Sequence, residues 1–105
     1  MAEIGAFTTP ELTISVPIDL REANVYLTFR QGGKVVLEKN ESSFRVSEDS
    51  IIVPLNQEDT SNFRPGPITF QIRYVFPDGS SDVSSTMQTN VIETYKGGVL
   101  NYVQR

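Results

Sequence analysis

Residues Pro67 to Thr94 read PITFQIRYVFPDGSSDVSSTMQTNVIET, and this stretch decides the fold. Ile68, Phe70, Ile72, Tyr74 and Phe76 alternate with Thr69, Gln71, Arg73 and Val75. A period of two belongs to a strand with one buried face. Pro77-Asp78-Gly79 ends the run, because proline pre-sets one turn angle and glycine accepts a positive φ. Val83, Ser85, Met87, Thr89 and Val91 form a second alternating set, which predicts a return strand. The stretch reads as a long β-hairpin in the middle of a sheet.

The rest of the chain supplies strands to pack against it. Leu12, Ile14, Val16, Ile18 and Leu20 alternate with polar neighbours, but Pro17 interrupts them. Proline is tolerated only at a strand edge or a bulge, so a strand is expected over 11–16 and a bent connection over 17–23. Asn24–Arg30 follows as a strand with Val25, Leu27 and Phe29 inward and Tyr26, Thr28 and Arg30 outward. Gln31-Gly32-Gly33 is a tight-turn signal that returns the chain as Lys34–Lys39. After the polar break Asn40-Glu41-Ser42, Ser43–Val46 offers a short strand, and Ile51, Val53 and Leu55 mark another. Asn56 can cap a helix, and Glu58 and Asp59 suit its positive end. One helical turn is expected there, with Phe63 plugging the end of the core and Arg64-Pro65-Gly66-Pro67 stopping it.

About seven short strands with one helical turn describe an all-β fold, an antiparallel immunoglobulin-like β-sandwich. A small closed barrel is the alternative. No amphipathic helix of about 10 residues or more appears, which excludes alternating βαβ. The 105 residues form one domain, long enough to bury roughly 65% of the unfolded surface without disulfides or metal. Residues 1–10 hold only Ile4 and Phe7 as large apolar side chains. They are expected to be a loose leader with Phe7 docked, or else a short edge strand. With no basic n-region and no apolar h-region they do not read as a secretory signal, and the expected location is the cytoplasm. No apolar run approaches the roughly 18 residues needed to span a bilayer.

The chain has no histidine and no cysteine. That removes the Ser-His-Asp triad, the Cys-His pair, thiolate nucleophiles and imidazole or thiolate metal sites. Carboxylates occur in pairs, Glu48 with Asp49, Glu58 with Asp59 and Asp78 with Asp82. Each pair sits in a turn beside Gly, Ser or Asn, where acids serve capping and solubility rather than facing each other across a cleft. Asp78–Asp82 lacks the spacing and distal Glu of a calcium loop. Gly32-Gly33 and Gly97-Gly98 lack the patterns of phosphate-binding loops. No catalytic, cofactor or metal residue is assigned, and an enzyme is not expected. Nine basic residues against thirteen acidic ones give a charge of −4, which disfavours nucleic acid.

The C-terminal stretch is the one candidate for interaction. Tyr95, Val99, Leu100, Tyr102 and Val103 cluster around the Lys96-Gly97-Gly98 break. They either pack back on the domain or fray, or they form a segment that meets a partner, since clustered apolar residues seldom stay in water.

In order, the segments resemble a family of small phage and prophage virion proteins that includes the N-terminal domain of baseplate upper proteins. The matching run starts at Phe7-Thr8-Thr9-Pro10, Leu12-Thr13-Ile14, Pro17-Ile18-Asp19-Leu20 and Val25-Tyr26-Leu27-Thr28-Phe29. It continues through Ile51-Ile52-Val53-Pro54-Leu55-Asn56-Gln57-Glu58-Asp59-Thr60, Phe63, Gly66, Ile68–Arg73 and Pro77-Asp78-Gly79. Lys96-Gly97-Gly98-Val99 is similar to the family's closing run, and the likeness covers about residues 7–100. Baseplate upper proteins continue into a long C-terminal part that lies outside these 105 residues. The resemblance implies a sandwich domain without enzymatic activity that assembles into a phage tail or baseplate beside other virion proteins, as a homo-oligomer or otherwise. The alternative reading is a surface glycan-binding module that uses Tyr26 or Tyr95.

Overall fold

The computed structural model describes residues 3–104. Two positions of the expected leader, Met1 and Ala2, and Arg105 of the C-terminal stretch lie outside the described residues. In chain order the elements are β1 (Ile4–Gly5), β2 (Glu11–Ser15), β3 (Asn24–Gln31), β4 (Lys34–Asn40), a 3₁₀ turn (Glu41–Ser43), β5 (Arg45–Val46), β6 (Ser50–Pro54), α1 (Gln57–Thr60), β7 (Gly66–Val75), β8 (Ser81–Val83) and β9 (Met87–Ile92). The fold is all-β. Among the described residues nine strands replace the expected seven or so, because β1 forms and the return arm of the hairpin is divided.

β7 is the hub of the larger sheet, whose order is β1-β9-β7-β3-β4 with β8 also paired to β7. The smaller sheet has the order β2-β6-β5. Side chains from both sheets meet in one core cluster. Phe29 lies at its centre, with ring centroids 5.2 Å from Phe63 and 5.3 Å from Phe70. Tilted ring pairs at this spacing contribute beyond their buried area. Phe63 thus plugs the core from the end of α1, as its position in the sequence suggests.

The expectation of an antiparallel sheet needs correction. β1 runs parallel to β9, with Ile4 opposite Val91 and Gly5 opposite Ile92, so the larger sheet is mixed. The leader is therefore an edge strand over Ile4–Gly5, and its anchor is the fully buried Ile4 rather than the half-buried Phe7. Thr60 ties the following residues down: its hydroxyl donates to the Thr8 carbonyl at 2.8 Å and accepts from the Thr8 N–H at 2.9 Å. Thr94 Oγ1 donates to the Ala6 carbonyl at 2.8 Å on the other side.

The central hairpin forms, with one change of register. Val83 pairs with Arg73 and Met87 with Phe70, so Ser84, Ser85 and Thr86 face only Gln71 and Ile72. One extra residue reverses the side-chain alternation. Thr89 and Val91 point into the core, whereas Val83, expected on the same face, is exposed. Ser84 stabilises the irregularity. Its N–H donates to the Ile72 carbonyl at 2.8 Å and its Oγ accepts from the Ile72 N–H at 2.9 Å. At the other hairpin, Gly32 and Gly33 have φ of 58° and 78°, a two-residue turn whose twist matches the strands it joins. Gln31, expected in that turn, is instead the buried last residue of β3.

Candidate interaction surface

Beyond β9, residues 93–104 contain neither strand nor helix. All five candidate residues lie there in the open. Tyr95 is 95% exposed, Tyr102 92% and Val103 76%, while Leu100 and Val99 remain about half exposed at 54% and 48%. The molecule measures 51 × 34 × 19 Å along its principal axes. Its radius of gyration is 14.8 Å, against about 13 Å for a compact chain of this length. Of the two sequence expectations, packing back on the core is not what these side chains do.

The backbone is nevertheless held at one point. Gln57 Nε2 donates to the Leu100 carbonyl at 2.8 Å, and Gln57 Oε1 accepts from the Leu100 N–H at 2.7 Å. The side-chain amide occupies both polar groups of that peptide residue, as a neighbouring strand would. Gln57 is placed by the capping box that opens α1. Asn56 Oδ1 accepts from the Asp59 N–H at 2.7 Å, and Asp59 Oδ2 accepts from the Asn56 N–H at 3.0 Å. Asp59 also receives Lys39 Nζ at 2.8 Å, in a pair whose side chains are 15% and 13% exposed. The Gln57-Glu58-Asp59-Thr60 turn is thus a positioning device, with Asp59 facing the body and Gln57 the C-terminal segment.

Each acidic pair has a member with a side-chain hydrogen bond, although Asp82 lies in β8 and Asp59 in α1 rather than in the turns expected for them. Asp49 Oδ1 accepts from Ser47 Oγ at 3.3 Å, and Asp82 Oδ1 from the Val83 N–H at 2.8 Å. Asp78 Oδ1 accepts from Ser80 Oγ at 2.6 Å and from the Ser80 N–H at 2.9 Å. These hydrogen bonds from Ser80, side chain first, hold the Asp78 carboxyl below its ordinary value. Among the described residues no three His, Cys, Asp or Glu side chains converge on a point that could hold a metal.

Two of the depressions on the surface bear on the candidate residues. The first, about 490 Å³, is floored by the outer face of the larger sheet and lined by Tyr26, Glu38, Arg73 and Tyr74. Tyr26 is 49% exposed there, while Tyr95 lies on the C-terminal segment and is 95% exposed. The second is an apolar groove of about 400 Å³ where the margins of the two sheets diverge. Ile14 and Ile72 form its floor, and Ile18 and Val83 its exposed rim.

Sequence reasoning missed two amides, Gln57 and Gln31. Gln31 Nε2 donates to the Arg64 carbonyl at 2.7 Å and its Oε1 accepts from the Arg64 N–H at 2.8 Å. It pins the proline-rich segment as Gln57 pins Leu100. A glutamine beside a cap or a turn carries no periodic signal, so neither contact could be read without the topology. Among the described residues no helix is long and apolar enough to cross a membrane. No family model, no curated protein and no solved structure matches the chain.

Proposed function

We propose that this chain is a non-enzymatic structural module of a phage or prophage virion, a tail or baseplate component that assembles through protein–protein contacts. In this reading its two sheets form an immunoglobulin-like sandwich, made in the bacterial cytoplasm and incorporated into the particle. The observation that carries it is the C-terminal segment, which presents Tyr95, Val99, Leu100, Tyr102 and Val103 to solvent while Gln57 holds its backbone. Exposed apolar side chains in such a cluster mark an interaction site. The virion setting rests on the resemblance of residues 7–100.

The test is mass spectrometry of particles purified after induction of the prophages of the source bacterium. The expected result is this chain at a fixed ratio to tail proteins. Intact tails without the chain overturn the reading.

One observation favours a second reading, a glycan-binding module: Tyr26 stands half exposed in a depression beside Glu38 and Arg73. An aromatic face flanked by polar groups suits a sugar ring. Titration with a broad glycan panel decides it. Shifted Tyr26 signals that disappear in Tyr26→Ala support it, and a flat titration removes it.

A further inference from the structure

The C-terminal segment and the apolar groove lie at opposite poles of the molecule. At one pole, Glu11 pairs with Pro54 just before α1, and Val91 pairs with Gly66 and Ile4. The segment leaves β9 there, and Gln57 of α1 holds Leu100. At the other pole, Ser15 pairs with Ser50 and Val83 with Arg73. The groove opens there, between Val16 and Ile18 on one side and Val83 and Met87 on the other. The Gln57 contact directs the segment away from the groove of its own chain.

Resting on the assembly reading above, we propose that the C-terminal segment of one copy docks in the Ile14–Ile72 groove of a second copy. Three features of the surface fit this occupant. The groove is flanked by two sheet margins: β2 is the outermost strand of the smaller sheet, and β8 pairs only with β7 among the described strands. A strand laid between them gains backbone hydrogen bonds as well as apolar contact. The segment Val99-Leu100-Asn101-Tyr102-Val103 is β-prone and carries apolar side chains on both faces, which suits a slot with two apolar walls. The charges also match. Around the groove pole lie Glu48, Asp49, Asp78 and Asp82, with Arg21 near Glu48 and Arg73 opposite Val83 as basic neighbours, so the pole is acidic on balance. From Lys96 to Arg105 the sequence has two basic residues and no acidic one. Opposite charges steer and orient such an encounter. Segment and groove are different surfaces, so the contact closes as a two-fold dimer when two copies exchange segments reciprocally, and otherwise closes into a ring or extends as a filament.

Sedimentation of the full chain over a range of concentrations tests the contact, using Val83→Asp to block the groove and Leu100→Asp/Tyr102→Asp to block the segment. All the substituted side chains are exposed, and circular dichroism checks that the variants fold. The wild-type mass is expected to rise with concentration. Each variant alone should be monomeric, with association weakened about tenfold or more by the charge forced against apolar surface. Mixed together, the two variants should form one-to-one pairs, since one keeps its segment and the other its groove. A wild-type chain that stays monomeric overturns the proposal, as does a blocked variant that associates like the wild type or a mixture that stays monomeric. A monomeric chain that still enters particles removes this contact and leaves the assembly reading standing. A self-associating chain absent from intact particles does the reverse.

Discussion

Gln57 and Leu100 are joined by two hydrogen bonds of 2.8 and 2.7 Å, one in each direction between a side-chain amide and a backbone peptide. The residues are 43 positions apart, and the pair is a polar link between α1 and the C-terminal segment. Neither group belongs to the core, so the contact sets where the segment lies rather than whether the domain folds.

Gln57→Ala should therefore release the segment without unfolding the body. Two partly exposed hydrogen bonds contribute about 1–2 kcal/mol together. Hydrogen exchange at the Leu100 amide should accelerate about tenfold, while the thermal midpoint changes by only a few degrees. Unchanged exchange at Leu100 would show that the amide does not hold it. Gln57→Glu should behave like the alanine variant, because a carboxylate keeps the acceptor for the Leu100 N–H but meets the Leu100 carbonyl with a second acceptor.

Ile4 gives the second prediction. It is fully buried opposite Val91 in the only parallel pairing among the described strands. Ile4→Ala should destabilise the domain by about 2–4 kcal/mol, a large share of the stability of a domain this size. Phe7→Ala, at a half-buried position, should have less effect despite removing more atoms. Urea midpoints of the two variants decide the order, and a larger loss at Phe7 would contradict the anchoring role of Ile4.

Periodicity reports a local pattern, and what it left unread was set by distant parts of the chain. The alternation of Val25, Leu27 and Phe29, of Ile51 and Val53, and of Ile68, Phe70 and Ile72 survives intact because both neighbours of each strand impose the same face. The cap at Asn56 was equally legible, since it depends on residues within one turn. Val83 was misplaced because the bulge at Ser84–Thr86 adds one residue, and nothing in the local pattern marks it. β1 is legible only as the alternative to a loose leader, because two residues carry no period and their partner lies near the other end of the chain. For the candidate site, the apolar character of Tyr95–Val103 was legible. The hold on Leu100 and the groove between Ile14 and Ile72 were not, because both join segments far apart in sequence.

The Gly32-Gly33 turn gives the third prediction. Both residues have positive φ, 58° and 78°, where a β-carbon costs about 1–2 kcal/mol. At Gly33 a β-carbon would meet no atom within 4 Å, so any penalty there is conformational rather than steric crowding. Gly33→Val should lower stability by about 1–2 kcal/mol, whereas Gly32→Asn should be nearly neutral, since Asn tolerates the first position of this turn. Equal losses from both substitutions, measured by chemical denaturation, would rule out the conformational explanation.

The last prediction concerns acid. Burial tends to raise the Glu41 carboxyl, but hydrogen bonds from its own backbone, from Asn24 and from Val25 outweigh it, and the group sits below its ordinary value of 4.5. Asn24 Nδ2 donates to Oε1 at 2.6 Å and the Val25 N–H to Oε2 at 3.2 Å, so the ionised form ties the 3₁₀ turn to the start of β3. A carboxyl whose value is lowered by folding contributes stability that is fully present above its unfolded value. That contribution is lost as pH falls through the lower folded value. Glu41→Gln cannot titrate and offers only one acceptor oxygen, so at pH 7 it should be less stable by about 1 kcal/mol. The difference from wild type should persist down to roughly pH 5 and shrink toward pH 2 as the wild-type carboxyl protonates. Denaturation curves at several pH values measure it directly. A difference that stays constant down to pH 2 would assign the effect to packing, and one that grows would reverse the sign of the linkage.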